Sequence, residues 1–164
     1  MQYSYKYIIL GGGMAGANAA MEIRKYDRKG TLLIVTQETD KPYYRPPLSK
    51  EFWTEPDYPK ETIYYNISDD ESIDILTGTT VKQINADQQT IEIESGEIYQ
   101  YEKLLYSLGG APKWIDGLES ERVLALRNLK DYRNLRKLAK PGSKVIIVGG
   151  GWVGAELAAG LKLN

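Results

Sequence analysis

Residues 7–16 read Tyr7-Ile8-Ile9-Leu10-Gly11-Gly12-Gly13-Met14-Ala15-Gly16, a short apolar run that breaks directly into a glycine cluster. Within that cluster Gly11, Gly13 and Gly16 have the spacing G-x-G-x-x-G. Such spacing carries chemistry only between a strand and a helix. There the first glycine permits the tight turn, the second lets the backbone approach a pyrophosphate without a Cβ, and the third lets helix and strand pack closely. The flanking residues supply that context. Ala17 to Tyr26 are good helix formers with apolar residues at helical spacing, and Asp27 to Gly30 make a turn. Thr31 to Thr36 is a β-branched run suited to a buried parallel strand. The whole is a βαβ unit whose helix, starting near Met14 and Ala15, turns its positive end toward a ligand's phosphates.

The same unit recurs. Lys144 to Val148 is a second short apolar strand running into Gly149, Gly150 and Gly151, and Trp152, Val153 and Gly154 open a stretch of helical composition. Gly149, Gly151 and Gly154 repeat the spacing of Gly11, Gly13 and Gly16, 138 positions later. Two copies of a dinucleotide corner imply two dinucleotide sites.

Between the copies, Gln37 to Tyr65 is rich in Pro, Tyr and charge, the composition of a long connection ordered by something other than its own ladder. Ile73 to Leu76, Thr80 to Ile84, Thr90 to Glu94 and Ile98 to Tyr101 are short alternating stretches separated by turn residues. They read as a meander or small antiparallel layer. Lys103 to Leu108 is a further strand ending in Gly109 and Gly110, and Leu129 to Lys140 is a short amphipathic helix.

Composition excludes several functions. The 164 residues carry a net charge of −1, with acids and bases interleaved, so no basic surface exists for nucleic acid or an anionic membrane. No apolar run approaches the roughly 20 residues of a membrane span, and the start lacks the pattern of a signal peptide, so a cytoplasmic location is the expectation. With neither cysteine nor histidine, the chain has no redox-active thiol pair, no thiolate metal site and no imidazole proton shuttle. Catalysis must come from a bound cofactor.

Particular residues follow from the fingerprint. The strand ending at Thr36 should be followed by an acid that accepts from the adenosine ribose. Glu38 is the choice, with Gln37 as a hydrogen-bonding neighbour, against the alternative of a solvated loop acid. In Tyr43-Tyr44-Arg45-Pro46-Pro47-Leu48-Ser49-Lys50 the prolines fix an extended backbone and Leu48 to Glu51 can start a helical turn. Arg45 and Lys50 are then either cations beside a pyrophosphate or solvated charges on a surface turn.

The stretch Pro42 to Trp53, PYYRPPLSKEFW, resembles the signature of the apoptosis-inducing factor and ferredoxin reductase branch of the FAD-dependent pyridine nucleotide oxidoreductases. YIILGGGMAG, VKQINAD, YEKLLYSLGG and VIIVGGGWVGAELA match in the same order, so the resemblance covers nearly the whole chain. It implies that Arg45 and Lys50 contact FAD, that Val81 meets the adenine through its backbone, and that Gly109 and Lys113 lie near the cofactor, Lys113 in the place of a family arginine. It also implies that Glu156 pairs with Lys50 beside the flavin where the nicotinamide stacks, making Lys50 and Glu156 the catalytic residues. Three departures accompany it: Gln37 replaces the family acid, Ser107-Leu108-Gly109 replaces Ala-Thr-Gly with loss of a threonine hydroxyl, and later family segments are absent.

The expected architecture is α/β. Residues 1–112 form a Rossmann-like FAD-binding domain with a central parallel sheet and a small antiparallel layer, lacking its C-terminal segment. Residues 113–142 connect it to the first βα unit, 143–164, of a truncated NAD(P)-binding domain. The expected activity is hydride transfer from NAD(P)H to FAD and onward to an acceptor: a small iron-sulfur protein such as a ferredoxin or rubredoxin, a quinone, or oxygen. A monodehydroascorbate-reductase-like enzyme and a nucleotide-binding module without turnover are the alternatives, and assembly as a homodimer is left open.

Overall fold

The computed structural model describes residues 2–67, 70, 72–118 and 120–164. Six strands form one sheet: β1 (Gln2–Leu10), β2 (Leu32–Val35), β3 (Ile73–Leu76), β4 (Val81–Asn85), β5 (Thr90–Ile93) and β6 (Ile98–Tyr106). Their order is β3-β2-β1-β6-β5-β4. Helix α1 (Met14–Tyr26) connects β1 to β2, which lie parallel with Tyr7 opposite Leu32 and Leu10 opposite Val35. All four residues of β2 are buried, as a strand covered on both faces requires.

Apolar residues divide by face. Ile9, Leu32 and Ile34 pack with Ala17 and Ala20 of α1, whose small side chains let the helix lie close to the sheet. Ile8, Leu10, Leu33 and Val35 point the other way and pack with Ile91 and Ile93 of β5 and with Tyr99 and Tyr101. The antiparallel strands β4 and β5 therefore continue the parallel sheet and also contribute to its second core.

The strand reading needs three corrections. Ile73–Leu76 belongs to no meander: it is the outer parallel strand, paired with β2 from Leu32 opposite Ile73 to Val35 opposite Leu76. Ile98 to Tyr106 is one continuous strand that pairs parallel with β1 along its length and antiparallel with β5 near its start. Lys144 to Val148 joins no sheet, for no other segment among the described residues pairs with it and Ile146 stays 91% exposed. A strand exists through its ladder, and apolar composition alone cannot make one.

The chain divides into two compact units, Met1–Tyr44 with Tyr64–Gly109, and Arg45–Ile63 with Gly110–Asn164. The first holds the sheet and α1. The second holds α2 (Glu51–Thr54), α3 (Leu129–Leu138) and α4 (Trp152–Leu163). Its core is aromatic: Phe52 and Trp53 of α2 meet Tyr132 of α3 at ring distances of 4.9 and 5.5 Å, and Gly160 of α4 lies against the Trp53 side chain. Among the described residues no helix is long and apolar enough to cross a membrane.

Asp27, just beyond α1, closes the turn into β2. Its carboxylate accepts from the Lys29 and Gly30 amides at 3.1 and 2.8 Å, from Lys6 Nζ at 2.7 Å and from the Tyr7 hydroxyl at 3.0 Å. The Lys6 ammonium first, then the Gly30 amide, hold this carboxyl well below the usual carboxylate range. A depressed pKa contributes stability that is fully present above the unfolded value of about 4 and is lost as pH falls below it. Asp27→Asn should therefore be less stable than wild type at pH 7, with the difference shrinking between about pH 4 and pH 2, as urea denaturation at each pH will measure.

Candidate functional site

The parallel strands run outward in two directions from β1, to β2 and β3 on one side and to β6 on the other. The crevice at the carboxyl ends of β1 and β6 is thus a topological switch point, where open α/β sheets bind their ligands. Gly11 and Ser107 sit there, immediately after the two strands.

At this corner Gly11 has φ +109°, and a Cβ on it would lie 2.3 Å from the Ser107 carbonyl oxygen. Only glycine fits. Its amide donates to Val35 O at 2.8 Å, which ties the turn to β2. Gly13 is extended (φ −76°, ψ −177°) and begins α1, while Gly16, in the first turn, faces the Gly11 carbonyl so closely that a Cβ would lie 2.0 Å from it. Met14 and Ala15 complete that turn.

The second corner has nearly the same backbone. Gly149 has φ +106°, Gly151 has φ −74° and ψ 178°, and a Cβ on Gly154 would lie 2.5 Å from Gly149 O. Gly150 and Gly151 have open space where a side chain would stand. Trp152 and Val153 open α4 and are exposed. The two glycine triplets thus produce one turn twice.

Helix ends distinguish these corners from α3. Helix α3 closes its own N-terminus, with Asn128 Oδ1 accepting from the Asp131 amide and Asp131 Oδ2 accepting from the Asn128 amide, at 2.9 and 3.1 Å. Helices α1 and α4 have neither a side-chain cap nor an acid in the first turn. Their first amides and positive dipole ends are left available to an anion. A diphosphate fits this arrangement: helix-end amides that no side chain among the described residues caps, next to glycines that leave the backbone open.

Gln37 and Glu38 follow β2. Gln37 is exposed, whereas Glu38 is half-buried and accepts from the Tyr43 hydroxyl at 2.6 Å. Val81 begins β4, opposite Ile93, and its side chain packs on the core. Gly109 turns with φ +70°. The hydroxyl of Ser107 stands 2.9 Å from Leu10 O and 3.2 Å from Gly11 O, so the serine replacing the family's alanine is part of the corner's framework.

In the second unit, Arg45 Nη1 donates to Arg127 O at 3.0 Å, and Lys113 is exposed. Lys50 and Glu156, which are far apart in sequence, come together: Lys50 Nζ lies 3.5 Å from Glu156 Oε1. Ser49 Oγ donates to Glu156 Oε2 at 2.7 Å. Neighbouring residues thus grip the two oxygens of one carboxylate. Ser49 is buried, held in a short 3-10 turn that Pro46 and Pro47 begin and that Trp53 Nε1 braces by donating to Leu48 O at 2.8 Å.

Sequence reasoning gave no role to Ser49 or Tyr43, and noted Ser107 only as a departure from the family. Ser49 stood beside Lys50 inside a quoted motif, and its adjacency was the available signal. The contacts of Tyr43 and Ser107 depend on how loops return to the sheet.

Fold, switch point and open helix ends define a Rossmann-like nucleotide-binding α/β protein with two related corners. Residues 5–163 match the model of the pyridine nucleotide-disulphide oxidoreductase family, and the chain belongs to that family. It is 35% identical over 160 residues to a rubredoxin-NAD(+) reductase of Pseudomonas putida, covering 93% of this chain and 40% of the relative. It is also 35% identical over 159 residues to the 3-phenylpropionate/cinnamic acid dioxygenase ferredoxin-NAD(+) reductase component of Photorhabdus laumondii, with the same two coverages. Among solved structures it matches the covalent putidaredoxin reductase-putidaredoxin complex with a TM-score of 0.89 and 28% identity, over 98% of this chain and 40% of that one. The chain spans about two fifths of the length of these relatives. The disulphide in the family's name has no counterpart in these 164 residues, which contain no cysteine.

Proposed function

We propose that this chain carries the FAD corner and the start of the nicotinamide corner of an NAD(P)H-dependent FAD oxidoreductase whose acceptor is a small iron-sulfur protein of the ferredoxin or rubredoxin kind. One observation carries the reading: two corners with matching backbone angles, each opening a helix whose N-terminus no side chain among the described residues caps. The names of the two reductase relatives support the acceptor class.

In this reading Gly11, Gly13, Met14, Ala15 and Gly16 hold the FAD diphosphate, Glu38 the adenosine ribose, and Val81 the adenine. Arg45, Gly109 and Lys113 serve the same cofactor. Gly149 to Gly154 hold the nicotinamide dinucleotide, and Lys50 with Glu156 works at the redox end. FAD supplies the electron-pair acceptor that a chain without cysteine or histidine lacks. Residues 1–112 and 143–164 are the proposed parts of the FAD and NAD(P) domains.

The test is optical. The purified protein should show the visible bands of a bound flavin and lose them when NADH is added without oxygen. A colourless protein that takes up no FAD would refute the reading. Bound flavin that does not bleach would favour a nucleotide-binding module without turnover.

A further inference from the structure

The interleaving of acids and bases along the chain breaks down in one place. Residues 127–144 carry seven bases against the single acid Asp131, while the other 146 residues hold 14 bases and 21 acids. A net charge of −1 thus conceals a basic segment on an otherwise acidic protein.

Helix α3 gives this segment a shape. Leu129, Tyr132 and Arg136 recur at helical spacing on its inner side: Leu129 and Tyr132 are buried, and the Arg136 guanidinium lies 4.8 Å over the Trp53 ring of α2. Asp131 is turned to the helix's own start, where Oδ2 accepts from the Arg127 and Asn128 amides at 2.9 and 3.1 Å. Lys130 and Lys137, seven residues apart and so on one side of the helix, are exposed, as are Lys140 and Lys144 beyond its end. No carboxylate among the described residues lies within ion-pair distance of these four lysines. A charged face kept for solubility alone mixes both signs, so that neighbours four residues apart attract. This face of α3 carries one sign.

Its complement is an anionic surface. Nucleic acid and an anionic bilayer are extended polyanions that reach past α3, and the acidic remainder of the chain repels them. A small protein can cover α3 alone. Iron held by four thiolates is anionic when oxidised and more so when reduced, which gives a small iron-sulfur protein the matching sign. The position of α3 suits such a partner as well. The rings of Tyr132, Phe52 and Trp53 tie it to α2, whose first residue, Glu51, follows Lys50 directly. The lysine face therefore belongs to the same packed group of elements as the Lys50–Glu156 pair.

We propose that the exposed lysine face of α3 is a docking surface for the acidic side of a small iron-sulfur electron acceptor. The proposal rests on the reading that such a protein is the acceptor, and it gives that partner a place to bind.

The experiment measures binding of the full chain to an immobilised rubredoxin and an immobilised two-iron ferredoxin, both oxidised, and compares wild type with Lys130→Gln/Lys137→Gln and Lys130→Glu/Lys137→Glu. The control is Lys29→Glu/Lys103→Glu, which makes the same charge change at exposed lysines outside the segment. Wild type should bind at least one probe, and its affinity should fall about tenfold or more between about 0.05 and 0.5 M salt. Neutralisation should weaken binding severalfold and reversal about tenfold or more, mainly through slower association, with the control within about twofold of wild type. A packing defect would not follow the sign of the charge in this way. Melting temperature, flavin content and bleaching by NADH should match wild type in all variants. Equal weakening in the control, wild-type affinity in both α3 variants, or no binding of either probe at low salt overturns the proposal. So does tighter binding of a DNA duplex or of phosphatidylserine vesicles than of either protein, which would assign the face to a polyanion. If NADH bleaches the flavin and neither probe binds, the docking face fails while the flavin reading stands. Probe binding by a protein that takes up no flavin removes that reading, and with it the acceptor role of this face.

Discussion

Gly16→Ala is expected to destabilise the first unit by about 3 kcal/mol or more and to abolish flavin binding, although it adds one methyl group to a helix. Alanine is the better helix former by nearly 1 kcal/mol, so propensity alone predicts a gain. Packing decides the other way. The new Cβ would lie 2.0 Å from the Gly11 carbonyl oxygen, 2.9 Å from Ser107 Oγ and 3.1 Å from Ile9 Cγ2. A side chain can rotate away, but the Gly11 carbonyl belongs to a residue whose own amide is bound to Val35 O of β2 and whose positive φ only glycine adopts freely. Relief requires α1 to move off the sheet, which carries its open amides away from the position a diphosphate would occupy and uncovers Ala17 and Ala20, both fully buried. Gly110→Ala is the control: nothing stands within 4 Å of its Cβ position, so its stability should stay within about 0.5 kcal/mol of wild type. Thermal denaturation of both variants, with flavin titration of each, measures the outcome. A Gly16→Ala protein as stable as wild type would show that the close approach of helix and strand does not govern this corner.

The glycine corners were legible because their information is local. Gly11, Gly13 and Gly16 lie within a few residues of the strand and helix they join, and the Gly16 contacts with Gly11 and Ile9 are local too, whereas those of Gly11 and Gly16 with Ser107 and Leu108 are not. The parallel pair β1 and β2 was legible for the same reason, since one helix connects them. Ile73–Leu76 was misplaced because a four-residue run of alternating composition identifies a strand without identifying its partner. Its pairing with β2 is made across about 40 residues of intervening chain, and nothing in its own composition records that. Lys144 to Val148 has the composition of a strand, and no segment among the described residues pairs with it. In the candidate site, Lys50 and Glu156 were paired through family likeness alone, since no physical rule connects residues so far apart in sequence. Ser49 and Tyr43 escaped notice because a serine and a tyrosine in a polar loop are ordinary until the fold brings a carboxylate to each of them.

Lys50→Met is expected to slow NADH-driven bleaching of the flavin about a hundredfold while leaving flavin content and thermal stability near wild type. The separation of the two effects follows from exposure. Lys50 and Glu156 keep 48% and 27% of their side chains accessible, and an ion pair so open to water contributes no more than about 1 kcal/mol to folding. What holds this part of the chain together is the aromatic contact of Phe52 and Trp53 with Tyr132, and Lys50→Met does not touch it. The pair is therefore poorly suited to stability; under the proposed function, Lys50 would offer a positive charge where negative charge accumulates during reduction. Glu156 and Ser49 hold that charge in place and should rank below it. Glu156→Gln keeps an acceptor for the Ser49 hydroxyl but loses the charge facing Lys50, so it should cost roughly tenfold, and Ser49→Ala, which frees one carboxylate oxygen, should cost less. Lys50→Arg tests whether charge alone suffices; its broad planar head cannot reproduce a compact ammonium, so only partial recovery is expected. Stopped-flow bleaching at saturating NADH gives the rates of wild type and the four variants, and melting curves on the same samples show whether the fold is preserved. Equal rates for wild type and Lys50→Met would remove the lysine from the chemistry and leave its contact with Glu156 as a surface ion pair.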